Sequence, residues 1–323
     1  MQQSIIKKIV KKNESIAAFL CIFLVIVLTV KSDIFWDPRN LHSLQVSFVP
    51  TAMIAFGMMF LLICGYFDMS VGSIMLLCAI AAGKFTMMGL PVPVVILLTL
   101  GIGLIMGCIN GFLVSILGIN ALIATLGMQY VGYGAAMLLW NEVRTLQSFD
   151  DTYIFLGEGE FGGLYVMTWV LLVMILAFSI FLKYASGGKR LYFVGGNKEA
   201  AKLIGFNDRR ILFLAYAATG VLTAIAAIFR SAYIHKPTQY MGEGIHMTCF
   251  IACVIGGGSF AGGKGSVIGA VLGVIFMSLL TNMFNLLQMS PELQNVVVGV
   301  ILVLVVTLDG YMNMKKLRAQ GKI

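Results

Sequence analysis

The sequence predicts an all-α membrane protein with about ten transmembrane helices. Three observations support this fold class: the composition, the length of the apolar runs, and the position of the basic clusters. Hydrophobic residues make up 59% of the 323 positions, charged residues make up 11%, and the mean hydropathy is +0.96. Soluble domains are usually about 45–50% apolar and about 25% charged, so this chain lacks the polar surface that a soluble fold requires.

The apolar runs have the length that a membrane requires. About 20 residues of α-helix cross the roughly 30 Å of hydrocarbon in a bilayer. We expect spans near residues 15–30, 42–64, 70–88, 93–116, 120–140, 163–183, 210–231, 245–257, 266–287 and 293–309. The run 245–257 is too short to cross alone and is expected to be a broken or re-entrant helix. The junction 64–72 is not an ordinary turn.

The positive charge indicates the orientation of these spans. Of the chain's net charge of +8, much comes from lysine and arginine clusters at both ends and in the loop 184–209. Such clusters mark the cytoplasmic side of membrane proteins. The sequence therefore predicts one transmembrane domain, 1–323, with both termini and the loop 184–209 in the cytoplasm and the acidic loop 141–162 outside. A nucleic-acid role has no supporting aromatic–basic motif.

The residues that usually carry catalysis are absent or scattered. The three histidines are far apart, and the six cysteines lie in or beside apolar runs, where they are typical packing residues. No Gly-rich loop has the spacing that binds a phosphate. Asp68 alone among ionisable residues is surrounded by apolar sequence, which disfavours an ion-driven carrier. We therefore expect no enzyme activity, no metal and no cofactor.

A first organised segment runs from Gly65 to Ser73, between two apolar spans. Its Asp68 is costly at membrane depth unless it caps a helix or faces water. A carboxylate near the free N–H groups of a helix that starts near Ser70 would be stabilised there. Helix capping and direct contact with a ligand are both open for Asp68.

A second segment lies in the basic loop, at residues 187–206. Gly195-Gly196 is expected to break the chain, Asn197 to cap a helix, and Gly205 to end it. The helix between them, residues 199–204, is short and amphipathic. Its apolar face suggests docking to a partner, and the alternative is that it lies on lipid headgroups.

Glycine patterns mark the remaining features. The segment from Gly256 to Gly265 has six glycines in ten residues, which allows a sharp bend at membrane depth where protein or water lines it. Two ladders with glycine at every fourth position indicate close packing of helix backbones. These ladders are Gly103, Gly107 and Gly111, and Gly265, Gly269 and Gly273.

These segments together resemble the permease subunits of sugar-type ATP-binding-cassette importers, the branch that handles ribose, xylose, arabinose and autoinducer-2. The family's Gly-x-x-Asp-Leu-Ser-Val-Gly-Ser motif is matched from Gly65 to Ser73, with Met69 in place of leucine. Further family motifs are matched, in the family's order, at residues 110–114, 123–127, 195–205 and 256–265. The resemblance covers roughly residues 45–310.

The resemblance implies a fold similar to the ten-helix vitamin B12 importer permeases. It implies that the chain carries a monosaccharide or a similar small polyol across the bacterial inner membrane. The expected partners are cytoplasmic ATPase subunits docked on the loop 184–209, an extracytoplasmic sugar-binding protein, and a second permease copy, identical or closely related. A stand-alone carrier or facilitator, and more remotely a membrane enzyme, stay as alternatives.

The resemblance and the polar residues together give candidate sites. Coupling to the ATPase is expected at Gly195, Gly196, Asn197, Glu199, Ala200, Ala201 and Gly205. The candidate pathway residues, several of them expected near the outer face, are Asp68, Ser70, Asn110, Thr125, Gln129, Tyr233, Gln239, His246 and Thr248. The chain departs from the family at residues 244–248, where relatives often have Gly-Tyr-Glu-Leu-Asp and both acids are missing here. The identity of the solute therefore does not carry over.

Overall fold

The computed structural model describes residues 2–197, 201, 203 and 205–319. In chain order its elements are α1 (Gln2–Lys31), α2 (Pro38–Ile63), α3 (Val71–Met87), α4 (Val92–Gly111), a π-helical turn (Phe112–Ile116), α5 (Ala121–Val143), α6 (Asp151–Glu158), β1 (Glu160–Phe161), β2 (Leu164–Tyr165), α7 (Val166–Tyr184), α8 (Ser186–Gly196), α9 (Asp208–Ile234), α10 (Ile245–Ile255), α11 (Val267–Leu286) and α12 (Pro291–Ala319).

The helices match the predicted spans. In the described part of the chain, eight are long and apolar enough to cross a membrane, and α3 and α10 are shorter apolar helices. Each of the ten predicted spans coincides with one of these ten helices, so the polytopic all-α fold is confirmed. The 11 residues of α10 reach only about 16 Å, so α10 crosses about half of the hydrocarbon.

Polar side chains fix where several helices begin. Asp37, Asn120, Asn207 and Ser266 cap α2, α5, α9 and α11, and each accepts a hydrogen bond from a backbone N–H of the first turn. Such caps satisfy N–H groups that have no partner within the helix. The caps explain why apolar segments of similar composition start at definite residues.

Two long helices form the centre of the bundle. α2 and α9 pack against each other, α4 packs mainly on α9, and α10 and α11 pack on α2. Most of α2 is buried, whereas none of the residues 291–308 of α12 is buried. The side of the bundle that carries α8 and the ends of α2 and α4 is called here the α8 side. The opposite side, with α6 and the two strands, is the α6 side.

The acidic loop predicted outside the membrane is folded onto the α6 side. His42 on α2 contacts the Tyr165 hydroxyl at 2.8 Å through Nδ1 and lies 3.4 Å from Glu160 Oε1. His235, which ends α9, pairs with Glu158 through Nε2 and Oε1 at 2.9 Å. The strand pair and α6 are thus held on the ends of both central helices.

The glycine ladders pack as expected. A Cβ atom placed on Gly103 or Gly107 would lie 2.5 Å from a carbonyl oxygen of α9. On the second ladder, a Cβ atom on Gly269 or Gly273 would lie within 2.0 Å of a carbonyl oxygen at Gly256 or Ala252. Close backbone packing is confirmed at these four positions, whereas Gly265 precedes α11 and lies against the side chains of Met59 and Ile63.

Replacing Gly107 by leucine is expected to lower the melting temperature of the purified protein strongly. The new side chain would meet the backbone of α9, and overpacking costs about 1–3 kcal/mol or more. Gly101→Leu is the matched control, because it lies on the same helix and a Cβ atom there meets nothing within 4 Å. Equal melting temperatures for the two variants in the same detergent would contradict this account.

Candidate functional site

Two short helices begin inside the bundle and touch at their first turns. α3 follows the connection 64–70, and α10 follows the connection 235–244. A Cβ atom on Gly72 would lie 2.5 Å from the carbonyl oxygen of Gly242, and one on Gly242 would lie 2.2 Å from that of Gly72. Any side chain at Gly72 or Gly242 would clash with the facing backbone. The two glycines therefore allow the starts of α3 and α10 to lie in contact.

A cavity of about 280 Å³ lies beside this contact. Its described lining comes from four elements: Gly72, Ser73 and Leu76 on α3, Gln129 and Tyr133 on α5, residues 239–244 of the connection, and His246 on α10. Helices that begin within the membrane beside a cavity are the arrangement in which transporters hold their substrates. The geometry therefore marks this cavity as the candidate pathway.

A buried hydrogen-bonded cluster supports the start of α3. Ser70 donates its N–H and its O–H to Asp68 Oδ1, each at 2.7 Å. Asn110 Nδ2 on α4 donates to Asp68 Oδ2 at 3.0 Å and to Ser70 Oγ at 2.7 Å. All three side chains are fully buried. Thr125 on α5 accepts the N–H of Met69 at 3.1 Å, so the cluster joins α3, α4 and α5.

The cluster distinguishes between the two roles considered for Asp68. Its carboxylate holds Ser70, which is the N-cap residue of α3, and the Ser70 side chain itself caps no N–H of the first turn. Asp68 thus fixes the cap residue and does not reach into the cavity lining. The geometry therefore favours a structural role for Asp68 at the start of α3 over direct contact with a ligand.

A second buried carboxylate supports the glycine-rich break. Asp309 on α12 accepts the O–H of Ser259 at 3.0 and 3.1 Å through its two oxygens, and Oδ2 accepts the N–H of Phe260 at 3.1 Å. Ser259 and Asp309 are both buried. Each of the two breaks, 64–70 and 256–265, is therefore held by its own buried aspartate.

Replacing Asp309 by alanine is expected to lower the free energy of unfolding by about 2 kcal/mol. Ser259 and the N–H of Phe260 would lose their acceptor, and a buried group left unsatisfied costs about 1–3 kcal/mol. Asn295→Ala, an exposed position on the same helix, is the control and should change little. Denaturant unfolding in detergent measures both, and an Asp309→Ala value no larger than the control would refute the assignment.

α8 meets the end of α2 and the glycine-rich break at a glycine junction, formed by Gly195 and Gly196, Ile63, and Gly262 and Gly263. A Cβ atom on Gly195 would lie 1.7 Å from the carbonyl oxygen of Ile63 and 2.7 Å from the nitrogen of Gly263. The N–H of Gly263 donates to that same Ile63 oxygen at 2.8 Å. The junction therefore joins α8 to the end of α2 and to the glycine-rich break.

Tyr192 adds a second link between α8 and this break. Its hydroxyl donates to the carbonyl oxygen of Gly265 at 2.8 Å. Burial, with a smaller contribution from the charge of Glu14, raises the pKa of Tyr192 to about 12. The hydroxyl therefore stays a donor at physiological pH.

The segment expected to couple to a partner differs in one respect from its prediction. Gly195 and Gly196 are the last two residues of α8, so they end a helix and do not form an isolated break.

The segment after α8 is described in part. The carbonyl oxygen of Asn197 accepts the N–H of Ala201 at 3.0 Å, and Gly205 adopts a φ of +82°, which suits a chain reversal. Ala201 is buried, whereas Leu203 is 88% exposed. Glu199 and Ala200 lie outside the described residues.

The structure separates the nine candidate pathway residues into three groups. Gln129, Gln239 and His246 lie together in the cavity lining. Asp68, Ser70, Asn110 and Thr125 form the buried cluster. Asn110 and Thr125 lie towards the α8 side, because α4 ends and α5 begins there. Tyr233 packs against Tyr165 on the α6 side, and Thr248 bonds only to the carbonyl oxygen of Gly244 within the described contacts.

Several residues at these sites were not expected from the sequence. They are Asp309, Tyr192, Gly242 and Glu243. Asp309 offered a signal, since it is a lone acid near the end of an apolar run, but nothing local indicated its partner. Among the described residues, no group of three or more His, Cys, Asp or Glu side chains could hold a metal ion.

The chain is similar to known transport permeases. A family model described as "Branched-chain amino acid transport system / permease component" matches residues 40–306. The autoinducer 2 import system permease protein LsrC of Klebsiella pneumoniae is 31% identical over 314 residues, 97% of this chain and 91% of that protein. The ribose import permease protein RbsC of Haemophilus influenzae is 30% identical over 301 residues, 92% of this chain and 93% of that protein. No solved structure matches the chain.

Proposed function

The chain belongs to the family of permease components of branched-chain amino acid type transport systems, and we propose that it carries a monosaccharide or similar small polyol as the membrane subunit of an ATP-driven importer. The observation that carries the proposal is the match, over more than nine-tenths of both chains, to proteins named as import permeases for autoinducer 2 and ribose. The chain is a multi-pass membrane permease, and its family is one of transport proteins.

The position of the glycine junction supports ATP-driven coupling. α8 touches the end of α2, which leads into the connection to α3, and it touches the break that follows α10. α3 and α10 are the two helices whose first turns meet at the cavity. A displacement of α8 would therefore act on both helices that line the proposed pathway, and no chemistry by this chain is needed.

The proposed partners follow from the two sides of the bundle. We place the α8 side in the cytoplasm, because its loop carries the basic cluster, and ATPase subunits dock on the segment 184–209 there. The solute-binding protein docks on the α6 side, outside a bacterial plasma membrane. A second permease copy, identical or closely related, completes the pathway, and both chain termini are cytoplasmic.

Reconstitution tests this function directly. The permease should co-purify with an ATPase encoded beside it, and vesicles with both, given the binding protein, should accumulate radiolabelled sugar only when ATP is supplied. Uptake by vesicles that contain the permease alone would instead favour a facilitator or secondary carrier.

Leu203→Arg is expected to weaken co-purification of the ATPase by about tenfold or more. An apolar side chain that is 88% exposed in an extramembrane loop is suited to a contact, and a buried unpaired charge in an interface costs several kcal/mol. Arg318→Ala, at an exposed position on α12 outside the segment 184–209, is the control. Unchanged pull-down yields for Leu203→Arg would remove this residue from the docking surface.

A further inference from the structure

The cavity beside α3 and α10 is lined by neutral hydrogen-bonding groups from separate elements. Gln129 comes from α5, Gln239 from the connection, and His246 from α10. Groups of this kind donate and accept, which matches the paired donor and acceptor character of hydroxyl groups. Tyr133, half exposed on the same wall, offers a flat apolar face.

The size of the cavity limits what it can hold. At about 280 Å³ it lies just below the roughly 300–1,000 Å³ that is usual for small-molecule pockets. A single sugar ring fits such a volume. The cavity therefore suits one small polyol at a time.

The charge of the lining is one-sided. Glu243 is an exposed carboxylate in the connection, and the described lining residues include no lysine or arginine. Within the described residues Glu243 has no ion pair. A cleft with charge of one sign and walls of low dielectric changes the local concentration of charged solutes by about 10-fold or more.

We infer that this cavity binds a neutral, hydroxyl-rich solute of one sugar ring and that Glu243 is a specificity-determining residue that excludes anionic solutes such as sugar phosphates. The inference deepens the proposed function, and its meaning for transport rests on that function. A simpler role for Glu243 is to stabilise the N-terminus of α10, which begins two residues later at Ile245. The two roles differ in what a Glu243→Gln change does to small charged probes.

Thiol labelling measures the charge of the cavity without transport. Gln239→Cys in the full-length purified protein is treated at about pH 8, where an imidazole of ordinary pKa is neutral, with cationic and with anionic methanethiosulfonate reagents. We expect the ratio of cationic to anionic labelling rates to fall about tenfold or more when Glu243→Gln is added. The chain without Gln239→Cys gives the background, because five of its six cysteines are buried.

An unchanged ratio of cationic to anionic labelling rates would overturn charge selection by Glu243. This holds whether or not Glu243→Gln lowers the melting temperature. A lower melting temperature with an unchanged ratio would assign Glu243 to the helix end alone. Tyr133→Cys, on α5 in the same cavity lining, provides a second labelling position if Gln239→Cys does not yield folded protein. The same fall in ratio is expected there.

Protection by solute tests the ligand class. Millimolar D-ribose should slow labelling of Gln239→Cys, and its phosphate ester should do so only in the Glu243→Gln variant. Two results would overturn the inference. One is equal protection by ribose and its phosphate ester in the Gln239→Cys protein that keeps Glu243, and the other is no protection by neutral pentoses and hexoses. These assays use the permease without its ATPase, so a failure of ATP-driven uptake and a failure of this inference are distinguishable.

Discussion

Replacing Gly195 by alanine is expected to reduce ATP-driven uptake by about tenfold or more, whereas the same change at Gly196 should leave uptake near normal. The alanine methyl group at Gly195 would lie 1.7 Å from the carbonyl oxygen of Ile63. Because the contact is with backbone, no side-chain rotation can relieve it, and overpacking costs about 1–3 kcal/mol or more. α8 would have to leave the glycine junction.

Gly196 is a close control for this change. It is the next residue of the same helix, and a Cβ atom there meets nothing within 4 Å. The measurement is ATP-dependent sugar uptake by the reconstituted importer, with ATPase co-purification as a second readout. If the Gly195→Ala permease still co-purifies with the ATPase but no longer supports uptake, the glycine junction transmits the motion of α8 to the rest of the permease. Normal uptake by Gly195→Ala would contradict a role for the junction in coupling.

Replacing Asp68 by alanine is expected to lower the free energy of unfolding by about 3 kcal/mol and to abolish uptake. The N–H and O–H of Ser70 and one N–H of Asn110 would lose their acceptor. Ser70 and Asn110 are 0% exposed, so water cannot replace the carboxylate. Each buried group left unsatisfied costs about 1–3 kcal/mol. The start of α3, and with it Gly72 at the cavity, would lose its position.

A double-mutant cycle with Asn110→Ala separates this cluster from a general loss of packing. Residues in one hydrogen-bond network have coupling energies of about 0.5–3 kcal/mol, so the double variant should lose less stability than the two single changes added. Asp151→Ala, at an exposed position on α6, is the control for removing an aspartate. Strict additivity would show that Asp68 and Asn110 do not act together.

The fold was predictable because the constraints on it are local. Each span needs only enough consecutive apolar residues to cross the hydrocarbon, and a helix satisfies its own backbone groups without help from distant sequence. The breaks were predictable for a similar reason, since Asp68 and the cluster of glycines after Ile255 do not fit a continuous apolar helix. The glycine ladders indicated close packing but not the helices they pack on.

The sites depend on contacts between residues far apart in the chain. Asn110 lies 42 positions from Asp68, and Asp309 lies 50 positions from Ser259. Asn110 and Thr125 carry the polarity that a pathway needs, but the directions of α4 and α5 place them beside the support of α3. Sequence polarity therefore gave a set of candidates, and the packing of the helices divided that set between cavity and support.

The sequence by itself determined a polytopic helical permease with two breaks, because hydropathy, charge clusters and glycine spacing act within one segment at a time. Only the tertiary structure decided that the starts of α3 and α10 meet at one cavity and that each break is held by a buried aspartate. It also decided that a Cβ atom would clash at Gly195 of the glycine junction but not at Gly196. The physical reason is that hydrogen bonds and backbone clashes depend on distances of a few tenths of an ångström between helices. Those distances are set by the whole bundle.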